Sequence, residues 1–127
     1  MKAGNAKSGI CAGFIMPHPP VVIHEVGKGR EIAATRTISS CKRVAKRVAE
    51  LEPETIVVIS PHAPLFSDWL FVYDRQVLEG SFAGFGAPGV SLSFDQDSAF
   101  VHAFIARLKA AGIPGGYPDA AALDRLE

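Results

Sequence analysis

Two short apolar runs, each closed by Pro-His-x-Pro, bracket one helix-length amphipathic segment, and this order limits the fold more than any other feature of the chain. Ile10 to Met16 leads into Pro17-His18-Pro19-Pro20, and Ile56-Val57-Val58-Ile59-Ser60 leads into Pro61-His62-Ala63-Pro64. Between them Ile38, Cys41, Val44, Ala45, Val48 and Leu51 recur at three- and four-residue steps, with Lys42, Arg43, Lys46, Arg47 and Glu50 on the opposite side. That is the pattern of an amphipathic helix, and Pro53 stops it. Its start is open, because Glu31 to Thr37 reads equally as helical or extended. A strand, a crossover helix and a second strand form a right-handed βαβ unit whose strands are parallel neighbours. The pattern therefore predicts strands over Ile10 to Met16 and Thr55 to Ser60, buried on both faces. Both histidines then leave the carboxyl edge of the sheet, where open α/β sheets place their ligands.

The rest of the chain extends this α/β reading. Trp69 to Tyr73 and Val90 to Phe94 read as strands, the second alternating and so half exposed. Gly80 to Gly89, glycine-rich around Phe82 and Phe85, has neither phosphate-loop spacing and reads as an ordered loop with aromatic anchors. Val21 to Gly29 reads as a covering loop. A second helix is capped by Asp97 or Ser98, buries Phe100, Val101, Phe104, Ile105 and Leu108, and ends at Gly112 before Pro114. His102 lies away from that stripe and reads as a surface residue. Residues 1–9 read as a flexible leader, and 10–127 as part of a single domain. At 127 residues the chain is long enough to bury one core.

Composition excludes several classes. The 13 basic residues balance 13 acidic ones, so nothing points to nucleic acid or an anionic membrane. The Lys42, Arg43, Lys46 and Arg47 group reads as a solvated helix face. Two cysteines, Cys11 and Cys41, lack the number and spacing of a disulfide framework, which fits a reducing, cytoplasmic setting. The apolar run broken at Gly13 and Pro17 is too short for a membrane span and a poor match to a secretory signal.

The chemistry centres on the two histidines. Neutral imidazole suits zinc, iron and copper, and a histidine just past a strand end is held by a rigid element. Flanking prolines limit backbone freedom and remove competing amide donors. Two histidines alone are weak and unselective; the usual completion for iron in oxygen chemistry is one carboxylate. Glu25, Asp68, Asp119 and Asp124 are candidates, and none stands out by spacing. His24 is a candidate second donor or general base, and reads more plainly as a loop histidine. The purely structural alternative makes His18 and His62 turn residues.

Phe14 to Pro20, Glu25-Val26-Gly27-Lys28-Gly29, Glu54 to His62, Phe66-Ser67-Asp68 and the Phe82 to Val90 glycine loop resemble the amino-terminal half of class III extradiol ring-cleavage dioxygenases. The likeness is to the catalytic B subunit type, and especially to its Memo-like branch, often found with an AMMECR-like domain and a radical SAM protein. It extends from Cys11 to Asp124. The resemblance implies an α/β/α sandwich with a mainly parallel or mixed central sheet, and non-haem Fe(II), with zinc or copper as alternatives. It implies cleavage of a catecholic ring beside its two hydroxyls by dioxygen, with iron as template and charge stabiliser. His18 and His62 fall on the two histidine ligands. Two departures stand out: Leu123-Asp124 is followed by Arg125 where the family has Leu-Asp-His-Gly, and the third ligand, a glutamate, lies far downstream in a chain about twice this long. The chain thus reads as a truncated amino-terminal half. It implies either a crippled dioxygenase, alone or completed by a homo-oligomer or partner chain, or a non-enzymatic Memo-like metal-binding or interaction module.

Overall fold

The computed structural model describes residues 9–118. The expected leader, apart from Gly9, and the candidates Asp119 and Asp124 lie outside the described residues. Helices with small parallel and antiparallel sheets make an α/β fold, as the sequence predicts. The chain divides into two compact units. One takes in the described residues up to Ile56 together with Ser81–Ser91; the other takes in Val57–Gly80 and the described residues from Leu92.

In the first unit, a 3₁₀ turn at Pro20–Val22, the short helix α1 (His24–Gly27) and a second 3₁₀ turn at Arg30–Ala34 lead into helix α2 (Thr35–Leu51). The Val21 to Gly29 stretch is thus a stack of tight turns rather than an open loop, and it buries Val26 and Gly27. The open start of the long helix resolves as 3₁₀ followed by α. Thr35 Oγ1 donates to the Ile32 carbonyl at 2.6 Å across that junction. The end comes where expected: Glu52 turns left-handed (φ 45°), its N–H bonds to the Val48 carbonyl at 3.2 Å, and Pro53 cannot continue the helix. Ile38, Cys41, Val44, Val48 and Leu51 are half-buried while the basic face is exposed. Arg43 donates to the hydroxyls of Ser39 and Ser40 within its own face.

In the second unit, strands β1 (Leu70–Phe71) and β4 (Gly115–Gly116) pair in parallel, Leu70 opposite Gly115 and Phe71 opposite Gly116. Between them in the chain come the hairpin β2 (Val77–Phe82) and β3 (Ala87–Asp95), whose Ser81–Ser91 portion belongs to the first unit, and helix α3 (Ser98–Ala110). The hairpin strands are joined by a 3₁₀ turn at Ala83–Phe85, so the expected loop is largely strand, with Phe82 and Phe85 in ring contact at 6.1 Å. Asp97 caps α3 by accepting from Phe100 N–H at 2.9 Å. At the other end Gly112 N–H bonds to the Lys109 carbonyl and Ile113 N–H to the Leu108 carbonyl, which turns the chain into β4. Only Val101 and Leu108 of the expected stripe are buried; Ile105 is half-buried, and Phe100 and Phe104 stack on each other in the open.

Two expected strands are corrected. Neither Ile10 to Met16 nor Thr55 to Ser60 forms a strand among the described residues, and the parallel βαβ pair with its shared carboxyl edge is not made there. Ile15 and Ile59 are exposed at 103% and 94%. The physical reason is that a strand has no hydrogen bonds of its own. An apolar run that should be buried on both faces becomes a strand only when neighbouring strands supply its ladder and helices cover it.

The β1–β4 contact depends on the missing side chain at Gly115. A Cβ there would lie 2.8 Å from the Leu70 carbonyl oxygen and 3.0 Å from Leu108 Cδ1. Gly115→Ala is expected to cost about 1–3 kcal/mol by overpacking, read as a lower urea midpoint. Gly84→Ala, where a Cβ meets nothing within 4 Å, serves as control and should stay within about 0.5 kcal/mol of the parent.

Candidate functional site

His18 is exposed in the proline-bracketed segment that enters the first unit's turn stack. Pro19 is the residue before the first 3₁₀ turn and holds an extended backbone (φ −69°, ψ 130°). Its carbonyl accepts from Val22 N–H and that of Pro20 from Ile23 N–H, both at 3.1 Å. The Ile23 carbonyl then takes the N–H groups of Val26 and Gly27, at 3.0 and 2.8 Å. His24 opens α1 and pairs through Nδ1 with Glu31 Oε1 at 2.5 Å, while Glu31 Oε2 accepts from Gly29 N–H at 2.7 Å. Arg30 adds bonds from Nε to the Gly27 carbonyl and from its guanidinium to that of Val26. Glu25, a candidate carboxylate ligand, is exposed on α1.

His62 belongs to the second unit, exposed in a turn where its N–H donates to Ser60 Oγ at 3.2 Å. Asp68 is exposed at a bend in the same unit. His102 is a surface residue as the sequence predicts, paired through Nε2 with Asp74 Oδ1 at 3.2 Å. Phe66, Phe71, Tyr73 and Tyr117 form one ring cluster. Arg75 donates to the Tyr117 hydroxyl at 2.8 and 3.0 Å. The Gln96 side chain bridges Arg75 N–H and the Tyr73 carbonyl, continuing the hairpin beyond its ladder.

His18 and His62 therefore belong to different compact units, and each unit by itself offers one of them. Among the described residues no group of three His, Cys, Asp or Glu side chains is placed to hold a metal ion. Imidazole is an apt donor for iron, but the described residues do not complete a two-histidine, one-carboxylate face. No helix among them is long and apolar enough to cross a membrane.

Comparison with known proteins decides the relationship. Residues 12–124 match the family described as the catalytic LigB subunit of aromatic ring-opening dioxygenase. This chain belongs to that family. The LigB match takes in both Pro-His-x-Pro segments and helices α2 and α3. Protein CA_C1420 of Clostridium acetobutylicum is similar at 38% identity over 79 residues, which is 62% of this chain and 17% of that protein. The aligned part is thus a small share of that relative's length. No solved structure matches the chain.

Glu31 is the residue that the sequence reading missed. It lies seven positions after His24, beyond a Gly-Lys-Gly break that hides the pairing from any helical spacing rule; only the turn at Lys28–Gly29 returns the chain to α1. The hydrogen bond with Glu31, then that carboxylate's charge, with Glu25 adding, holds the His24 pKa above its ordinary 6.5. Backbone hydrogen bonding at Glu31 itself, then His24 and the Gly29 N–H, holds the Glu31 carboxyl below its ordinary 4.5. The sign follows from linkage. What the pair adds through His24 is complete below about pH 6.5 and fades as pH rises through the raised value. What it adds through Glu31 is present above about pH 4.5 and is lost as pH falls through the depressed one. In an NMR titration of the histidine ring protons, His24 is expected to titrate above 6.5, and Glu31→Gln should bring its midpoint down. An unchanged midpoint would mean that Glu31 is not its partner in solution.

Proposed function

We propose that this chain is part of an Fe(II)-dependent extradiol dioxygenase that opens a catecholic ring with dioxygen, and that His18 and His62 are its two imidazole ligands. The observation that carries the reading is the family match, which spans both histidines. Their setting supports it: His62 is exposed in a turn and His18 in the irregular segment before the first 3₁₀ turn, each with proline on the amino side and proline again within two residues. Proline fixes its own φ and restricts the residue before it, so little backbone entropy remains to be lost when the histidine takes a ligand. Iron supplies the electronic coupling between dioxygen and an aromatic ring that side chains lack. The contribution of the chain's own residues is neutral nitrogen donors on stiff backbone. A carboxylate completes such a face, and Glu25 and Asp68 are the exposed candidates among the described residues. Within the family, the order of the Phe14 to Pro20, Glu25 to Gly29 and Glu54 to His62 segments supports the Memo-like branch.

An anaerobic Fe(II) titration of the chain beside its His18→Ala/His62→Ala double variant tests the assignment. The parent is expected to bind about one iron per chain at roughly micromolar affinity, and the variant none. Equal binding by both, or binding by neither, removes the two histidines from the role of ligands. Oxygen uptake with catechols then separates the dioxygenase from a non-enzymatic metal-binding or interaction module, which would take up iron and consume no oxygen.

A further inference from the structure

We propose that Glu31 is a positioning residue for His18, acting through Gly27 and the turn at Pro19 to Ile23; its bearing on iron rests on the reading of His18 as a ligand given above. The path is continuous within one compact unit. Glu31 is fastened at both carboxylate oxygens, to His24 and to Gly29 N–H, and its side chain is only 16% exposed although His24 is 79% exposed. Held this way, it lies against buried Gly27, where a Cβ would meet both the Glu31 side chain and, at 2.7 Å, the Val21 carbonyl oxygen. Gly27 is thus pressed between the carboxylate and the first 3₁₀ turn. Val21 lies inside that turn, which Pro19 and Pro20 close by accepting from Val22 and Ile23. His18 immediately precedes Pro19, whose ring fixes its own φ and narrows the conformations of the residue before it.

The path runs through hydrogen bonds at Glu31 and in the 3₁₀ turn, a steric contact at Gly27 and the covalent chain from Pro19 to His18. If Glu31 releases His24 and Gly29, the wall behind Gly27 moves and the 3₁₀ turn loses its backstop. The ψ angle of Pro19 is then less restrained, and the position of His18 relative to the turn changes with it. Glu25, Lys28 and Arg30 are the other charged groups on these turns. Arg30 is occupied by the Val26 and Gly27 carbonyls, which leaves it to close α1 rather than to neutralise Glu31.

The test uses the full chain with 13C-labelled histidine, the four ring signals assigned from single-histidine variants. Glu31→Gln, which keeps the size and removes the charge, and Gly27→Ala, which changes no charge, are each expected to shift or broaden the His18 signal. The His62 and His102 signals and the helical circular dichroism should not change. Fe(II) affinity should fall about tenfold, the usual loss when the support of a ligand is removed. His24→Gln, which frees only one Glu31 oxygen, should give a smaller shift in the same direction, and it serves if either stronger variant loses helix. A His18 signal that stays put in all three variants overturns the proposal. Should the His18 signal move while no protein takes up iron, the positioning role stands and the ligand assignment falls.

Discussion

A Cβ has no room at Gly27, in the first compact unit, or at Gly115, in the second, unless a neighbour shifts. At Gly27 the backbone lies between a carbonyl oxygen and the Glu31 carboxylate; at Gly115 it lies between β1 and the buried Leu108 of α3. The close approach brings hydrogen-bonding groups within reach of each other. Leu70 N–H finds the Pro114 carbonyl, Val72 N–H finds that of Gly116, and Trp69 Nε1 donates to the same Gly116 carbonyl. With few large side chains fully buried, backbone contacts of this kind carry much of the local order. A hydrogen bond contributes about 1 kcal/mol net, so several are needed where apolar burial is small.

The apolar surface that remains open explains why. Ile10, Ile15 and the Ile56 to Ile59 run are β-branched and exposed, a composition suited to strands enclosed on both faces. Such strands are cooperative objects: each needs a ladder on its edges and cover above and below before any of its burial is realised. Helices α2 and α3 are less dependent on company, because their hydrogen bonds are internal. Both accordingly form where the sequence places them, even with one apolar stripe half-buried and the other reduced to Val101 and Leu108.

In the proposed iron site the prolines around His18 and His62 matter as much as the imidazoles, because they would put each donor on backbone that is already restricted. The role proposed for Glu31 adds a carboxylate fastened to His24 and Gly29 in the turn stack that follows His18. The Glu31–His24 pair also makes its own contribution depend on pH, since it is strongest with the carboxyl ionised and the imidazole protonated.

The amino-acid sequence by itself determined helices α2 and α3, a cap at Asp97 or Ser98, the stop at Pro53 and the end at Gly112. Each of these is written in spacing of a few residues and satisfied by bonds within that span. The α/β class was legible for the same reason, and the family through the order of its segments. Only the tertiary structure decided that Gly115 and Gly116 pair with Leu70 and Phe71, that Glu31 returns to His24, and that the apolar runs before His18 and His62 are not strands among the described residues. Those outcomes depend on which distant backbone or side chain arrives as a partner. A strand or a buried clasp has no hydrogen bonds of its own until that partner is in place.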